Sequence, residues 1–123
     1  MKVLVATEKP FSKAAVDGIR TIVEEAGYEL ALLEKYTDVQ QFYDAVADAD
    51  ALIVRSDKVT KEVIDHANNL KIVVRAGAGF DNLDLAACTA KNIVAMNTPG
   101  QNSNAVAELA IGMMIYMARN TFK

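Results

Sequence analysis

The stretch Lys71 to Asp84, KIVVRAGAGFDNLD, decides the fold. It opens on Ile72-Val73-Val74, a β-branched run of the kind that forms a strand buried on both faces. The run breaks at Arg75-Ala76-Gly77-Ala78-Gly79, and a helical pattern starts near Asn82. Glycines after a strand let main-chain amides approach a ligand closely. Arg75 adds a permanent cation with a planar fork of donors. Strand, arginine, glycine turn and helix together suit an anion. A plain β-to-α turn, its glycines solving only a backbone problem, is the competing reading, and this stretch alone leaves both open. Gly77-x-Gly79 also begins like a dinucleotide fingerprint. Its third glycine position holds Asn82 instead. The acidic residue expected about 20 residues further on is missing from Val94-Ala95-Met96-Asn97, so a complete nucleotide site is rejected.

The same unit repeats outward along the chain. Val3-Leu4-Val5-Ala6 reads as a first buried strand, followed by a loop at Thr7-Glu8-Lys9-Pro10. Ser12 can cap a first helix with Ala15, Ile19, Ile22, Val23 and Ala26 at helical spacing and Gly27 at its stop. Tyr28, Leu30 and Leu32 alternate, as a half-exposed edge strand does. Thr37 with Gln40 resembles a capping box for a second helix, whose apolar stripe is Val39, Phe42, Tyr43 and Val46. Ala51 to Val54 is strand three. Thr60 then caps helix three, with Val59 and Ile64 placed as a hydrophobic staple. Helix four is expected from about Asn82 to Ala90, and Ile93 to Met96 is strand five. Strands alternating with helices imply an α/β fold with a parallel sheet. The expected topology is flavodoxin-like and doubly wound, with strand order 2-1-3-4-5.

Composition fits such a domain. The 123 residues are enough for one real core, and 52% hydrophobic with 24% charged residues is the profile of a soluble globular protein. A net charge of −3 argues against a general nucleic-acid or membrane-surface role, while leaving room for a local cationic pocket. One cysteine, Cys88, excludes a disulfide framework and fits a reducing cytoplasm. In its alanine-rich surroundings it reads as a small buried hydrophobe. The chain starts directly on a strand-like run, so no targeting segment is expected.

Residues Ala105 to Met117 are apolar on nearly every side, interrupted only by Glu108 and Gly112. A surface helix would show a single stripe, and a bilayer span needs about 20 apolar residues. This helix therefore expects protein on several faces. With the sequence stopping at Lys123, the expectation is a domain cut from a longer chain, or an oligomer formed through Ala105–Met117.

Ligands of open parallel sheets bind outside the carboxyl ends of the strands. Polar groups fall there at Thr7-Glu8-Lys9, Arg55-Ser56, Arg75 with its glycine turn, and Asn97-Thr98. Two arginines on adjacent strand ends suit a carboxylate or phosphate. Asn102 and Ser103 place a helix N-terminus nearby. For Arg55 a surface ion pair with Asp57 is the alternative; its position after a buried strand favours the anion. Catalytic machinery is not expected in this chain. His66 reads as a solvated helix residue, Glu108 as a buried structural carboxylate. No metal-ligand spacing and no nucleophile elbow is present in the sequence.

Three motifs, Leu52-Ile53-Val54-Arg55-Ser56, Arg75 to Asn82, and Asn97-Thr98-Pro99-Gly100 on to Leu109, resemble the D-isomer-specific 2-hydroxyacid dehydrogenases. The similarity covers essentially the whole chain, with the motifs in the family's order. It implies that Arg55 and Ser56 hold the substrate, a small phosphorylated 2-hydroxy acid, at its phosphate end. Ala76 and Gly77, beside Arg75, match main-chain amides near its carboxylate. Position 78 matches a residue that touches NAD; relatives often carry threonine there, and Ala78 loses that hydrogen bond. Asn102 matches the cleft between substrate and cofactor. The family's NAD-binding glycine motif and its catalytic arginine, glutamate and histidine have no counterpart here. The resemblance therefore divides the chain into a substrate-binding domain, 1–100, and a connecting helix with the start of a nucleotide-binding domain, 101–123. A non-catalytic flavodoxin-like module is the alternative. A phospho-receiver would need an aspartate where Arg55 stands, and a flavin binder would want glycine in the loop after strand one.

Overall fold

A computed structural model describes residues 2–7, 13–34, 37–55, 57–75, 82–97 and 112. Five strands, β1 (Lys2–Thr7), β2 (Glu29–Glu34), β3 (Ala51–Val54), β4 (Ile72–Arg75) and β5 (Val94–Asn97), alternate with four helices. These are α1 (Lys13–Glu25), α2 (Val39–Val46), α3 (Lys61–His66) and α4 (Leu85–Ala90). All strand pairs are parallel and the order is β2-β1-β3-β4-β5, the flavodoxin-like arrangement expected from the sequence.

Period-two alternation sorts each strand between two cores. Leu4, Ala6, Leu52, Val54 and Val73 face α2, α3 and α4, where they pack with Phe42, Val46, Val63, Ile64 and Cys88. Val3, Val5, Ala51, Ile53, Ile72 and Val74 face the other way, against Ile19 and Val23 of α1. Burying one such large side chain is worth roughly 1.5–3 kcal/mol, so the two-sided strands carry most of the stability. β2 lies at an edge as expected, but its exposure does not alternate: Ala31 and Leu33 pack on one core and Leu30 and Leu32 on the other, each half-buried.

The helix ends follow local chemistry. Gly27, at φ 80°, closes α1: its amide donates to the Glu24 carbonyl at 3.0 Å, and that of Tyr28 to Val23 at 3.1 Å. This paired pattern is the Schellman stop, and its left-handed residue favours glycine. Thr60 caps α3 as expected, accepting from the Val63 amide at 3.4 Å, and both Val59 and Ile64 are buried. Lys91 adds a cation at the far end, donating to the Ile64 carbonyl at 2.9 Å.

Three expectations shift. The capping box of α2 is Asp38 with Gln41, one residue beyond Thr37 and Gln40, because the carboxylate is the stronger acceptor for the first turn. Val39 leaves the apolar stripe and is 50% exposed at the helix start. α4 begins at Leu85, capped by Asp84, not near Asn82. Asn82 and Leu83 are held instead beside Val59 in a short parallel bridge, with Val59 donating to the Asn82 carbonyl at 2.8 Å and Asp84 to that of Val59 at 2.9 Å. The apolar segment 105–117 lies outside the described residues except for Gly112, which is helical.

Cys88 is buried in α4, as expected. Burial pushes its thiol above the ordinary value of 9.0, and the charge of Asp84 adds to the rise. A thiol raised on folding contributes stability that is complete below the unfolded thiol range and is lost as pH rises through the folded value. Chemical denaturation from pH 7 to 10 should therefore show a steeper alkaline loss of stability in the parent than in Cys88→Ala. Equal losses would mean that the thiol is not the group responsible.

Candidate functional site

The direction of winding reverses between β1 and β3: α1 leads outward to β2, and the later helices carry the chain the other way. Such a switch point leaves a crevice at the carboxyl ends of the strands. Thr7, buried, ends β1 on one side of it. On the other side β3 runs out of the core through Val54, and Arg55 emerges exposed. Arg75 ends the neighbouring strand, in register with Val54 on one side and Asn97 on the other. The two arginines thus stand on adjacent strand ends, as expected.

Their relation is closer than charge alone. The Arg75 Nε–H donates to the main-chain carbonyl of Arg55 at 3.2 Å. The Asn82 amide group donates to the same carbonyl at 3.2 Å and to the Asp57 carbonyl at 2.7 Å. Two lone pairs on one carbonyl oxygen accommodate both donors. A flipped Asn82 amide would set its oxygen against two carbonyl oxygens, which fixes the orientation. Among the described residues, the Asn82 Oδ1 is then buried without a hydrogen-bond partner. Leaving such an acceptor unsatisfied costs about 1–3 kcal/mol. Part of the Arg75 fork thus serves the backbone of β3 rather than projecting wholly into the crevice.

Nearby, the starts of α3 and α4 leave an open surface recess of about 420 Å³ lined by Lys58, Thr60, Lys61, Glu62, Asn82 and Asp84. Two cations and two carboxylates balance there, so it favours no charge. His66 lies elsewhere. It ends a helix that starts above the carboxyl ends and runs back, which carries it toward the opposite edge. Its Nδ1–H donates to the Glu62 carbonyl at 2.7 Å, and its ring stacks on Tyr43 with centroids 4.3 Å apart. Among the described residues no three His, Cys, Asp or Glu side chains gather as a metal site, and no helix is long and apolar enough to cross a membrane.

Of the residues singled out from the sequence, Arg55 and Arg75 are brought together. Ser56, Ala76, Gly77, Ala78 and Asn102 lie outside the described residues, as do Glu8, Lys9, Thr98, Ser103 and Glu108. Sequence reasoning passed over the side chain of Asn82. The available signal was Asp84, a good helix cap with Ala87 three residues on, which puts Asn82 before the helix rather than in it.

The described residues do not fit a dinucleotide. The position where a third fingerprint glycine would allow close approach is filled by Asn82, whose amide is committed to main-chain carbonyls.

Comparison with known proteins agrees with this fold. The family model for the D-isomer specific 2-hydroxyacid dehydrogenase, catalytic domain, matches residues 6–120. The D-3-phosphoglycerate dehydrogenase of Methanocaldococcus jannaschii is 44% identical over 100 residues, 80% of this chain and 19% of that protein. A hydroxypyruvate reductase of Thermotoga maritima is 40% identical over 93 residues, 75% of this chain and 30% of that protein. The crystal structure of the NAD+-bound 3-phosphoglycerate dehydrogenase of Entamoeba histolytica superposes with a TM-score of 0.80 at 54% identity, covering 100% of this chain and 41% of that one. The chain thus spans about a fifth to a third of the length of these two curated relatives.

Proposed function

Because this chain belongs to the D-isomer-specific 2-hydroxyacid dehydrogenases, we propose that it is the substrate-binding part of an NAD-dependent D-3-phosphoglycerate dehydrogenase. The whole enzyme would oxidise 3-phospho-D-glycerate to 3-phosphohydroxypyruvate, the entry step of serine biosynthesis. The observation that carries the reading is the pair Arg55 and Arg75 on adjacent strand ends beside the switch point. A guanidinium fork matches a phosphate or carboxylate in geometry as well as charge. The role of this part is to orient the substrate by its charged ends, which lowers the entropic barrier to reaction. Arg55 and Ser56 would hold the phosphate end, with Arg75, Ala76 and Gly77 toward the carboxylate. Ala78 and Asn102 would border the cofactor. NAD itself would be held mainly by residues that this chain does not contain. Residues 1–100 would form the substrate-binding domain, and 101–123 the connection into the nucleotide-binding domain. A cytoplasmic setting accords with one free, buried cysteine. Another 2-hydroxy acid is the second reading, favoured by the likeness to a hydroxypyruvate reductase.

With the family's acid–base residues absent from the sequence, the purified 123-residue chain should produce no NADH from NAD and 3-phosphoglycerate. Turnover in a preparation free of longer protein by mass spectrometry would overturn that reading.

Binding should nevertheless be detectable, weak and salt-sensitive, because one wall of a cleft holds an anion in open solvent. Titration with 3-phosphoglycerate should shift the NMR amide signals near Arg55 and Gly77, and Arg55→Ala should abolish the shifts. Shifts confined to other regions, or untouched by that substitution, would refute the assignment.

The apolar segment 105–117 supports a homo-oligomer. One core face can take about half of Val106, Leu109, Ile111, Met113, Met114, Ile115, Tyr116 and Met117, and each large side chain left in water forfeits roughly 1.5–3 kcal/mol. A second copy would cover the remainder. Sedimentation over a concentration series should show self-association that Met113→Glu and Met117→Glu weaken. A monomer at roughly tens of micromolar, or an oligomer indifferent to both changes, would sink the proposal.

A further inference from the structure

We infer that Asn82 is a positioning residue for the substrate arginine: from just before α4 it holds the main chain at Arg55 and Asp57 in place. The inference rests on the reading of Arg55 as a substrate contact.

Arg55 leaves the sheet at the end of β3, where ladder hydrogen bonds stop. Its side chain is exposed. What can be fixed is the backbone that carries it. Asn82 does this at two points, bonding the carbonyls of Arg55 and Asp57 at 3.2 and 2.7 Å with one amide group. The Arg55 and Asp57 carbonyls are thereby held by one side chain. The fastening is anchored, since Asn82 itself is tied by its carbonyl to the Val59 amide at 2.8 Å and Asp84 donates back to Val59 at 2.9 Å. Arg75 bonds the Arg55 carbonyl from the neighbouring strand at 3.2 Å. Two side chains, those of Arg75 and Asn82, therefore converge on the Arg55 carbonyl. The Asn82 side chain joins both carbonyls, and it does so while its own Oδ1 is buried and, among the described residues, without a partner. A residue selected for burial alone would not carry that unsatisfied acceptor. Its geometry serves the turn.

The test uses the ¹⁵N-labelled chain and its Asn82→Ala variant. If the alanine variant does not fold, Asn82→Ser, which keeps one short donor, takes its place. Two quantities are read: amide relaxation along residues 51–59, and the midpoint of a 3-phosphoglycerate titration followed at Arg55. Asn82→Ala should loosen Arg55 and Asp57 while Leu52 and Ile53 keep the order of the parent. It should raise the midpoint about tenfold, the effect of losing two hydrogen bonds of modest net strength. Unchanged order at Arg55 and Asp57, or an unchanged midpoint, overturns the inference and leaves the function intact. Loosening that spreads evenly into Leu52 and Ile53 also overturns it, since Asn82 would then act on the fold as a whole. A parent chain whose Arg55 region ignores 3-phosphoglycerate overturns the reading of Arg55, and the inference falls with it.

Discussion

The constraint on which everything else depends is that β3 and β4 are enclosed in four directions. Each pairs with a strand on both sides, and each is covered by apolar side chains on both faces. Only the strand ends remain for chemistry. The amino ends are taken up by the fold itself: Asp50 donates to the Lys2 carbonyl, its carboxylate accepts from the Lys2 amide, and its carbonyl accepts from Lys71, each at 2.8 Å. Lys71 in turn accepts from Val94 at 3.0 Å. One edge of the sheet is thus stitched across from β1 to β5. The other edge carries Arg55 and Arg75, and the reversal of winding opens the crevice beside the first of them.

An arginine at that edge meets two opposing demands. A cation must stay near water, because burial of an unpaired charge is expensive. Orienting a substrate needs the opposite, a group held to within a fraction of an ångström. The arrangement separates the two. The guanidinium of Arg55 is left at the surface, and order is imposed on its main chain through a carbonyl that accepts from Arg75 and Asn82. If Arg55 binds the substrate as proposed, a main chain ordered in advance would improve affinity without adding contacts.

How far the sequence disclosed this depended on the range of the interactions involved. Ile72-Val73-Val74 and Ala51-Leu52-Ile53-Val54 announced buried strands because their burial depends on composition. Gly27 and Thr60 announced helix ends because their chemistry is complete within five residues. The strand order followed from the α/β class, and the arginines on adjacent strand ends followed from that order. The shift of the α2 box from Thr37 to Asp38 was a competition between neighbouring caps, which spacing resolves poorly. The Asn82 fastening was out of reach for a different reason. Its partners lie 27 and 25 residues away, and an asparagine before a helix has the same local signature whether its amide faces solvent or a distant carbonyl.

The failed fingerprint and the fastened turn are two aspects of one residue. In a dinucleotide-binding unit the third glycine lets the helix pack close to its strand, and the opened space receives pyrophosphate. Here the corresponding position carries a side chain with two donors on one nitrogen. Those donors point back toward the end of β3 and are satisfied by main chain. The fingerprint is therefore incomplete at this strand end, and the side chain standing where its third glycine would be serves the main chain that follows β3.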